Sequence, residues 1–272
     1  CENCVDENKM APELEKMLGD SLILFNEKFR DPKSGQYRDD LSLNPKKPDQ
    51  NSNASIASAG MGLIIMSLSH KMGKEPRARE KILETLKNAL GKNKDFQATR
   101  SRHGWFRHWY DVKTGDDNNW SRGDGFSTID SAIFVAGAQF AANYFNHDKE
   151  INDLAKEALE SVQWPSAVKD HEKGSMTLKF DLKTQEAHGV TLPFNEYLLV
   201  ACMGKLKEEK KGDPGEMTKF WNKHFKDPRK LPRENFEGHS LLTDHPTTFL
   251  STFVIQFTAY LCKDVAESKE YL

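Results

Sequence analysis

The sequence lacks the features that define several large protein classes. Its longest strongly apolar run, residues 61–68, is far shorter than the roughly 18 residues that a membrane-spanning helix needs. Its 39 lysines and arginines nearly balance its 41 aspartates and glutamates, so the net charge of -2 creates no long-range field that would attract nucleic acid. The sequence therefore predicts no membrane span and no nucleic-acid partner.

Signatures of common catalytic and cofactor sites are also absent. The chain contains no GxSxG, P-loop or GxGxxG pattern, which argues against a serine-hydrolase elbow and against nucleotide binding. His103, His108 and Asp111 are residue types that bind metals, but neither HExxH nor a calcium-loop pattern accompanies them. We predict no metal and no cofactor.

Cysteines are few, and they do not form the two matched pairs of a zinc site. They are Cys1, Cys4, Cys202 and Cys262, the last two isolated within apolar helical stretches. The chain starts at a cysteine rather than methionine and has sequons at Asn53 and Asn119, which favours export after removal of a targeting segment. Cys1 and Cys4 are then expected to form a disulfide or, in a bacterium, Cys1 to be lipidated. An arbitrarily trimmed start is the alternative.

Helices dominate the predicted secondary structure, and they alternate between two kinds. Amphipathic helices with a charged face are predicted at 12–30, 75–91, 148–163 and 214–226. Helices that are apolar or small on nearly every side are predicted at 55–69, 128–145, 195–204 and 247–262. Because a helix that is apolar all round must be covered on every side, the alternation predicts an inner layer of helices wrapped by an outer one.

These two layers indicate an all-α fold, an α/α toroid with about four to five hairpins. We expect a single domain over residues 11–272, preceded by a tail at 1–10. Long connections lead into the inner helices at 31–54, 92–127, 164–194 and 227–246, and they are expected to form the rim of a cleft. Within the third, the alternating stretch 176–182 is predicted to pair with 189–192 as a small β-hairpin.

Two predicted inner helices carry an acid at their entrance. Ser127 and Asp130 match the pattern of an N-cap serine with an acid three residues later, and Asn195 is a suitable N-cap before Glu196. Capping alone explains both acids, because a carboxylate complements the helix dipole. The other explanation is that the two helices hold a pair of carboxyl groups at the floor of one cleft.

The loop at 100–125 is the most aromatic part of the chain. Its candidate substrate-binding side chains are His103, Trp105, Phe106, Arg107, His108, Trp109, Tyr110 and Trp120. Flat aromatic faces beside hydrogen-bonding groups suit a sugar ring, which has apolar faces and a hydroxyl edge. The structural alternative is that these aromatics pin a long loop to the core, with arginines stacked on them.

Further acids and a histidine complete the predicted site. Asp124 and Asp111 are candidates, beside Asp130, for the side of the cleft that activates water. Asp244 and His245, at the start of the last inner helix, are candidates for the rim. Paired carboxyl groups suit glycosidic cleavage, because one donates a proton to the leaving oxygen while the other activates water.

Six segments, taken in order, resemble the bacterial glucoamylase-like family of (α/α)6-toroid glycoside hydrolases, which includes endo-β-1,2-glucanases. They are NASIASAGMGL (53–63), HGWFRHWYDVKTG (103–115), STIDSAIFVAGAQFAANYF (127–145), VQWP (162–165), FNEYLLVACMG (194–204) and LLTDHPTTFLSTFV (241–254). The set spans most of the chain, and its order carries the resemblance.

The resemblance implies roles for individual residues. Glu196 is similar to the family's general acid, Asp130 corresponds to the acid of its S-T-I-D segment, and the block at 103–111 would line sugar subsites. The family also implies inversion through a water molecule, relayed by a substrate hydroxyl. It places an acid shortly before S-T-I-D, where this chain has Asp124, Gly125 and Phe126, so the identity of the base stays open.

Two functions agree with these observations. The first is an exported glycoside hydrolase that cleaves a β-glucan-type polysaccharide by acid/base catalysis with inversion. The second is a non-catalytic glycan-binding or structural secreted protein that keeps the toroid. The predicted helices are too few for six hairpins, so a second chain that completes the ring is an expected partner besides carbohydrate. A truncated chain and another mode of closure are the alternatives.

Overall fold

The structure, a computed structural model, describes residues 11–42, 52–116, 125–191, 194–243, 252–269 and 271. Its helices are α1 (Pro12–Leu24), α2 (Ile56–Lys71), α3 (Ala78–Ala89), α4 (Thr128–Tyr144), α5 (Lys149–Glu160), α6 (Leu198–Lys211), α7 (Glu216–His224), α8 (Thr252–Leu261) and α9 (Lys263–Ala266). A π-helical turn at Phe25–Phe29 continues α1, and 3-10 turns lie at Trp164–Ala167 and Pro228–Lys230.

Short strands lie in the connections between these helices. They are β1 (Asn53–Ser55), β2 (Trp109–Asp111), β3 (Gly125–Ser127), β4 (Val168–Asp170), β5 (Ser175–Met176), β6 (Lys179–Asp181), β7 (Ala187–His188), β8 (Arg233–Phe236) and β9 (His239–Leu242). All pairings are antiparallel: β1 with β2, β4 with β5, β8 with β9, and β3, β6 and β7 in one three-stranded sheet.

The helices form the two predicted kinds. α4 packs between α2 and α6, and α8 contacts both α4 and α6. α3, α5 and α7 each pack on the inner helix that precedes them in the chain. The inner helix α4 buries 11 of its 17 residues, whereas the outer helix α5 buries 5 of its 12, along one stripe. The alternation is therefore confirmed for α4 and α5, but α8, which was predicted to be covered on every side, leaves Tyr260 81% exposed.

The predicted boundaries are wrong at both ends of α6 and in the β-hairpin. α6 begins at Leu198, three residues later than predicted, and continues to Lys211, because its charged second half consists of good helix formers and ends only at Gly212 in the left-handed conformation. The predicted hairpin exists, but β6 pairs with 187–188 rather than with 189–192. The Asp181 carboxylate accepts hydrogen bonds from the N–H groups of Lys183 and Thr184, which starts the turn earlier than the alternation suggested.

α2 and α4 cross in backbone contact. A Cβ atom added to Gly60 would lie 2.6 Å from the carbonyl oxygen of Ile133, and one added to Gly137 would overlap the carbonyl group of Gly60. Because no side chain fits at either position, the two glycines allow the inner helices to approach more closely than larger residues would permit.

A disulfide joins α6 to the end of α8. Cys202 and Cys262, with Cα atoms 6.1 Å apart, form this bridge across 60 residues of sequence. Beside it, a cavity of about 430 Å³ that is open to solvent lies between α4, α6 and α8, and its lining includes Ala136, Lys205 and Tyr260. The bridge thus fastens two inner helices next to a region that they do not fill.

Some predictions fall outside the described residues. Residues 1–10, with Cys1 and Cys4, and the sequon residue Asn119 lie there, so the tail and the state of those cysteines stay predictions. Within the described part of the chain, no helix combines the length and apolarity that crossing a bilayer requires.

Candidate active site

The segment 106–111 connects the entrances of two inner helices. On the α2 side, β2 pairs with β1, and the His108 carbonyl accepts a hydrogen bond from the Ile56 N–H at 3.1 Å. On the α4 side, the His108 N–H donates to the Gly125 carbonyl at 3.1 Å, and the Ser127 N–H donates to the Phe106 carbonyl at 3.2 Å. His108 is therefore fixed between the first turns of α2 and α4.

Serines cap both of these helices. The Ser127 hydroxyl oxygen accepts a hydrogen bond from the Asp130 N–H at 3.2 Å, and Ser55 does the same for the Ser58 N–H at 3.1 Å. The Ser127 hydroxyl also donates to Oδ2 of Asp130. The capping predicted for α4 is confirmed, and the same serine holds the Asp130 carboxylate.

Asp130 faces His108. Nε2 of His108 lies 3.6 Å from Oδ2 of Asp130, and the two side chains are 28% and 15% exposed. The imidazole ring stacks on Trp109, with ring centroids 4.0 Å apart and an angle of 22° between the planes. Asp130 is thus a partly buried acid that solvent or a ligand still reaches.

Glu196 lies just before α6 rather than inside it. Oδ1 of Asn195 accepts a hydrogen bond from the Tyr197 N–H at 3.0 Å, and the Glu196 carbonyl accepts from the Leu199 N–H at 3.0 Å. Asn195 therefore caps a turn that leads into the helix, a correction to its predicted place at the helix N-cap. Both Asn195 and Glu196 are partly exposed.

Tyr197 is a buried residue next to Glu196, and its phenol responds to the charge of Asp130. Burial raises its pKa, and the negative charges of Asp130 and Glu196 raise it further, against the effect of a side-chain hydrogen bond with Thr128. Asp130, in the first turn of α4, is therefore close enough to Tyr197 for its charge to act on the phenol, while Glu196 is the neighbour of Tyr197 in the chain. Tyr197 was not among the predicted site residues, because its only signal in the sequence is its position next to Glu196.

Three aromatics predicted to bind sugar are buried instead. Trp105 is 0% exposed, and its indole N–H donates to the Ser166 hydroxyl at 2.9 Å. Phe106 packs on Phe134, and the Tyr110 hydroxyl donates to Gln36 at 2.8 Å. Since none of these rings offers a face to a ligand, the predicted sugar-stacking role is wrong for them, and the loop-pinning alternative describes them.

Arg107 and His103, in the same loop, differ in exposure. Arg107 is buried, which contradicts a direct contact with a sugar at the surface. His103 is partly exposed, with Nδ1 3.1 Å from Oε1 of Gln163 and Nε2 accepting from the Arg102 guanidinium at 3.1 Å. His103, His108 and Trp109 are therefore the members of the 103–110 block that keep an accessible surface.

The Asp111 side chain stabilises the turn that follows it in the chain. Its carboxylate accepts hydrogen bonds from the N–H groups of Lys113 at 2.9 Å and Thr114 at 3.0 Å. Partial burial alone would raise the pKa of Asp111, but these bonds and one from the Ser52 hydroxyl lower it below its usual range. A base role for Asp111 is therefore not favoured, because its oxygens already hold a turn together.

The remaining predicted site residues lie outside the described residues. They are Asp124, Trp120, Asp244 and His245. Among the described residues, the one cluster with metal-ligand spacing is Cys202, Cys262 and Asp264. Its sulfur atoms are bonded to each other, and the Asp264 carboxylate accepts from the Lys205 ammonium at 2.9 Å.

Neither a family model nor a curated protein matches this sequence. Solved structures do match. An endo-β-1,2-glucanase from Chitinophaga pinensis, in complex with sophorotriose and glucose, aligns with a TM-score of 0.66 at 15% identity, over 89% of this chain and 57% of its own. This chain has the same fold. The resemblance drawn from the sequence segments is thus confirmed at the level of the fold.

Two further structures support this assignment. A candidate glucoamylase from Bacteroides uniformis ATCC 8492 has a TM-score of 0.64 and 17% identity, over 87% of this chain and 56% of its own. A cellobiose 2-epimerase from Spirochaeta thermophila DSM 6192 has a TM-score of 0.52 and 12% identity, over 81% and 56%. The chain spans little more than half the length of these structures, and the comparisons give no support for a second chain.

Proposed function

We propose that this protein is an exported glycoside hydrolase of the α/α-toroid type that cleaves a β-glucan-type polysaccharide. The observation that carries the proposal is that Asp130 and Glu196 lie at the entrances of α4 and α6, two helices that pack against each other. A pair of carboxyl groups on one region is the arrangement that glycosidic cleavage needs. The fold shared with an endo-β-1,2-glucanase supports a glucan as the substrate class.

In this proposal Glu196 is the general acid and Asp130 the general base. Glu196 gives its proton to the glycosidic oxygen as the bond from that oxygen to the anomeric carbon breaks. The water oxygen forms the new bond to the anomeric carbon from the opposite face, and its proton passes to Asp130, directly or through a substrate hydroxyl. The product then has the inverted anomeric configuration. Trp109, His103 and Asn195 are the accessible groups that would contact the sugar.

The Cys202–Cys262 disulfide supports export. Disulfides persist in oxidising compartments and are rare where glutathione and thioredoxin keep thiols reduced. The bridge lies between buried residues that belong to the core rather than to a redox site. An exported protein would also meet extracellular or periplasmic polysaccharide.

The proposal is tested by incubating the purified chain with a panel of β-glucans, including β-1,2-glucan, and counting new reducing ends. Glu196→Gln removes the proton donor with little change in shape, and we expect a loss of roughly a thousandfold or more in kcat. Glu186→Gln, at an exposed site in the β6–β7 turn, is the matched control and should match wild type. Proton NMR of the first product reports its anomeric configuration.

Two results would contradict the proposal: no cleavage of any glucan by wild type, or equal rates for wild type and Glu196→Gln. Calorimetric measurement of binding to the same glucans then tests the alternative of a non-catalytic glycan-binding protein. A glycan-binding protein would bind without cleaving, and its affinity would survive Glu196→Gln but fall in Trp109→Ala.

A further inference from the structure

His108 is an accessible residue whose backbone and one ring face are both fixed. Its backbone N–H and carbonyl are both hydrogen-bonded, one to the strand before α4 and the other to the first residue of α2. Its ring lies flat on Trp109. Because its backbone N–H and carbonyl are both hydrogen-bonded and one face of its ring is covered, the residue has little freedom to move with a ligand.

The Nε2 edge of the imidazole ring faces the Asp130 carboxylate. Nε2 lies 3.6 Å from Oδ2 of Asp130, the same oxygen that accepts the Ser127 hydroxyl. At this separation the contact is electrostatic, and a small shift on substrate binding would shorten it to a hydrogen bond. Nε2 donates in the imidazolium form and in one neutral tautomer, so the contact suits both.

We propose that His108 is a positioning residue for Asp130: it fixes the orientation of this carboxylate and stabilises its negative charge, and it does not bind the sugar. The inference rests on the proposed function, in which Asp130 must be ionised to accept a proton from water. Together, Ser127 and His108 hold one carboxylate oxygen from two sides.

The charges around His108 fit this role. Its ring faces the Asp130 carboxylate on α4, and the charge of Asp130 also acts on the Tyr197 phenol at the entrance of α6. A carboxylate beside the imidazole favours the cationic form of the ring, and the cation in turn favours the ionised form of Asp130. The contact thus suits Asp130 to the role of the base in the proposed reaction.

NMR of the full chain labelled with ¹⁵N-histidine tests the pair without any substrate. The imidazole signals are followed through a pH titration, and the spectrum of His108→Gln identifies the His108 signal. In Asp130→Asn, we expect the midpoint of His108 to fall by about half a pH unit or more, since a neutral amide no longer stabilises the cation. His70, at the far end of α2, serves as the internal control and should not move.

Controls keep this titration interpretable. Asp153→Asn, an exposed acid on α5, should leave the His108 midpoint unchanged. If Asp130→Asn does not fold, the reciprocal measurement replaces it: the carboxyl ¹³C signal of Asp130 should titrate at a higher pH in His108→Gln than in wild type. An unchanged midpoint in the folded variant, or in the reciprocal measurement, overturns the proposal.

Kinetics separate positioning from sugar binding. For His108→Gln we expect kcat to fall roughly tenfold to a hundredfold while KM changes less than about threefold. His147→Gln, in the exposed turn after α4, should retain wild-type rates. A raised KM with unchanged kcat would make His108 a sugar-binding residue and end the proposal. A wild-type protein without hydrolase activity would refute the proposed function alone, because the titration still tests the His108–Asp130 pair.

Discussion

The two sides of the inner layer are held together in different ways. α2 and α4 meet backbone to backbone at Gly60 and Gly137, with no room for a side chain. α6 and α8 are instead bridged by Cys202 and Cys262, beside a cavity of about 430 Å³. Close packing and a covalent bond are thus alternative ways to fix an inner helix. Asp130 stands on the closely packed side, and Glu196 leads into the cross-linked one.

Removing the bridge should have the largest effect on stability. The double variant Cys202→Ser and Cys262→Ser opens a loop of 60 residues, and loop-closure entropy predicts a loss of about 4 kcal/mol in the free energy of unfolding. Urea unfolding followed by circular dichroism measures it, and wild type with reductant is the matched comparison. An unfolding free energy equal to that of wild type would mean that packing alone holds α6 and α8.

Adding a methyl group at the α2–α4 crossing should have the next largest effect. Gly137→Ala forces the added carbon onto the Gly60 backbone, and we expect a loss of about 3 kcal/mol in the free energy of unfolding. Gly19→Ala on α1 is the control, since its added carbon meets only the flexible end of Lys74, at 3.3 Å. That variant should be neutral or gain up to about 1 kcal/mol in helix propensity. Equal effects would argue against a close crossing.

Two alanines on α4 compare the cavity side with the filled side. Ala136 lines the cavity, whereas Ala138 is fully buried and does not. Ala138→Leu should cost about 2 kcal/mol in the free energy of unfolding by overpacking, and Ala136→Leu less than about 1 kcal/mol. Thermal denaturation of both variants checks the difference. A larger loss for Ala136→Leu than for Ala138→Leu would contradict the position of the cavity on the Ala136 side of α4.

The smallest effect concerns the helix caps. Ser55→Ala and Ser127→Ala each remove one N-cap, and each should cost about 1 kcal/mol in the free energy of unfolding. The two should differ in activity, because only Ser127 also donates to the Asp130 carboxylate. We expect Ser127→Ala to lower kcat on the cleaved glucan and Ser55→Ala to leave it unchanged. Equal rates would show that the Ser127 contact has no part in the reaction.

The helical layers could be predicted because they depend on local periodicity. Whether a helix is apolar on one face or on all faces is visible in 10 to 17 residues, as α4 and α5 show. The disulfide could not be predicted, since Cys202 and Cys262 lie 60 residues apart and meet only when α6 and α8 pack. The start of α6 was missed because an Asn195-capped turn and a capped helix begin with the same residues.

The part of the candidate site that could be predicted is the part formed by residues close together in the sequence. Ser127 and Asp130 form a local capping pattern, so their geometry follows from spacing alone. Trp105 was misassigned, because its burial depends on Trp164 and Phe180, which are distant in sequence. The identity of a loop residue as tryptophan does not show whether its ring faces the solvent or the core. Long-range contacts therefore decide which half of an aromatic loop can meet a ligand.

The hydrogen bonds of the 106–111 segment also restrict how the site can respond to an arriving chain. The amide and carbonyl of His108 are each committed to a different helix entrance, so this part of the rim cannot swing open as a hinged flap. A ligand that pushes on it moves the first turns of α2 and α4 with it. Adaptation to substrates of different width is then expected in the other connections, and a one-residue insertion in this segment would disturb two helix starts at once.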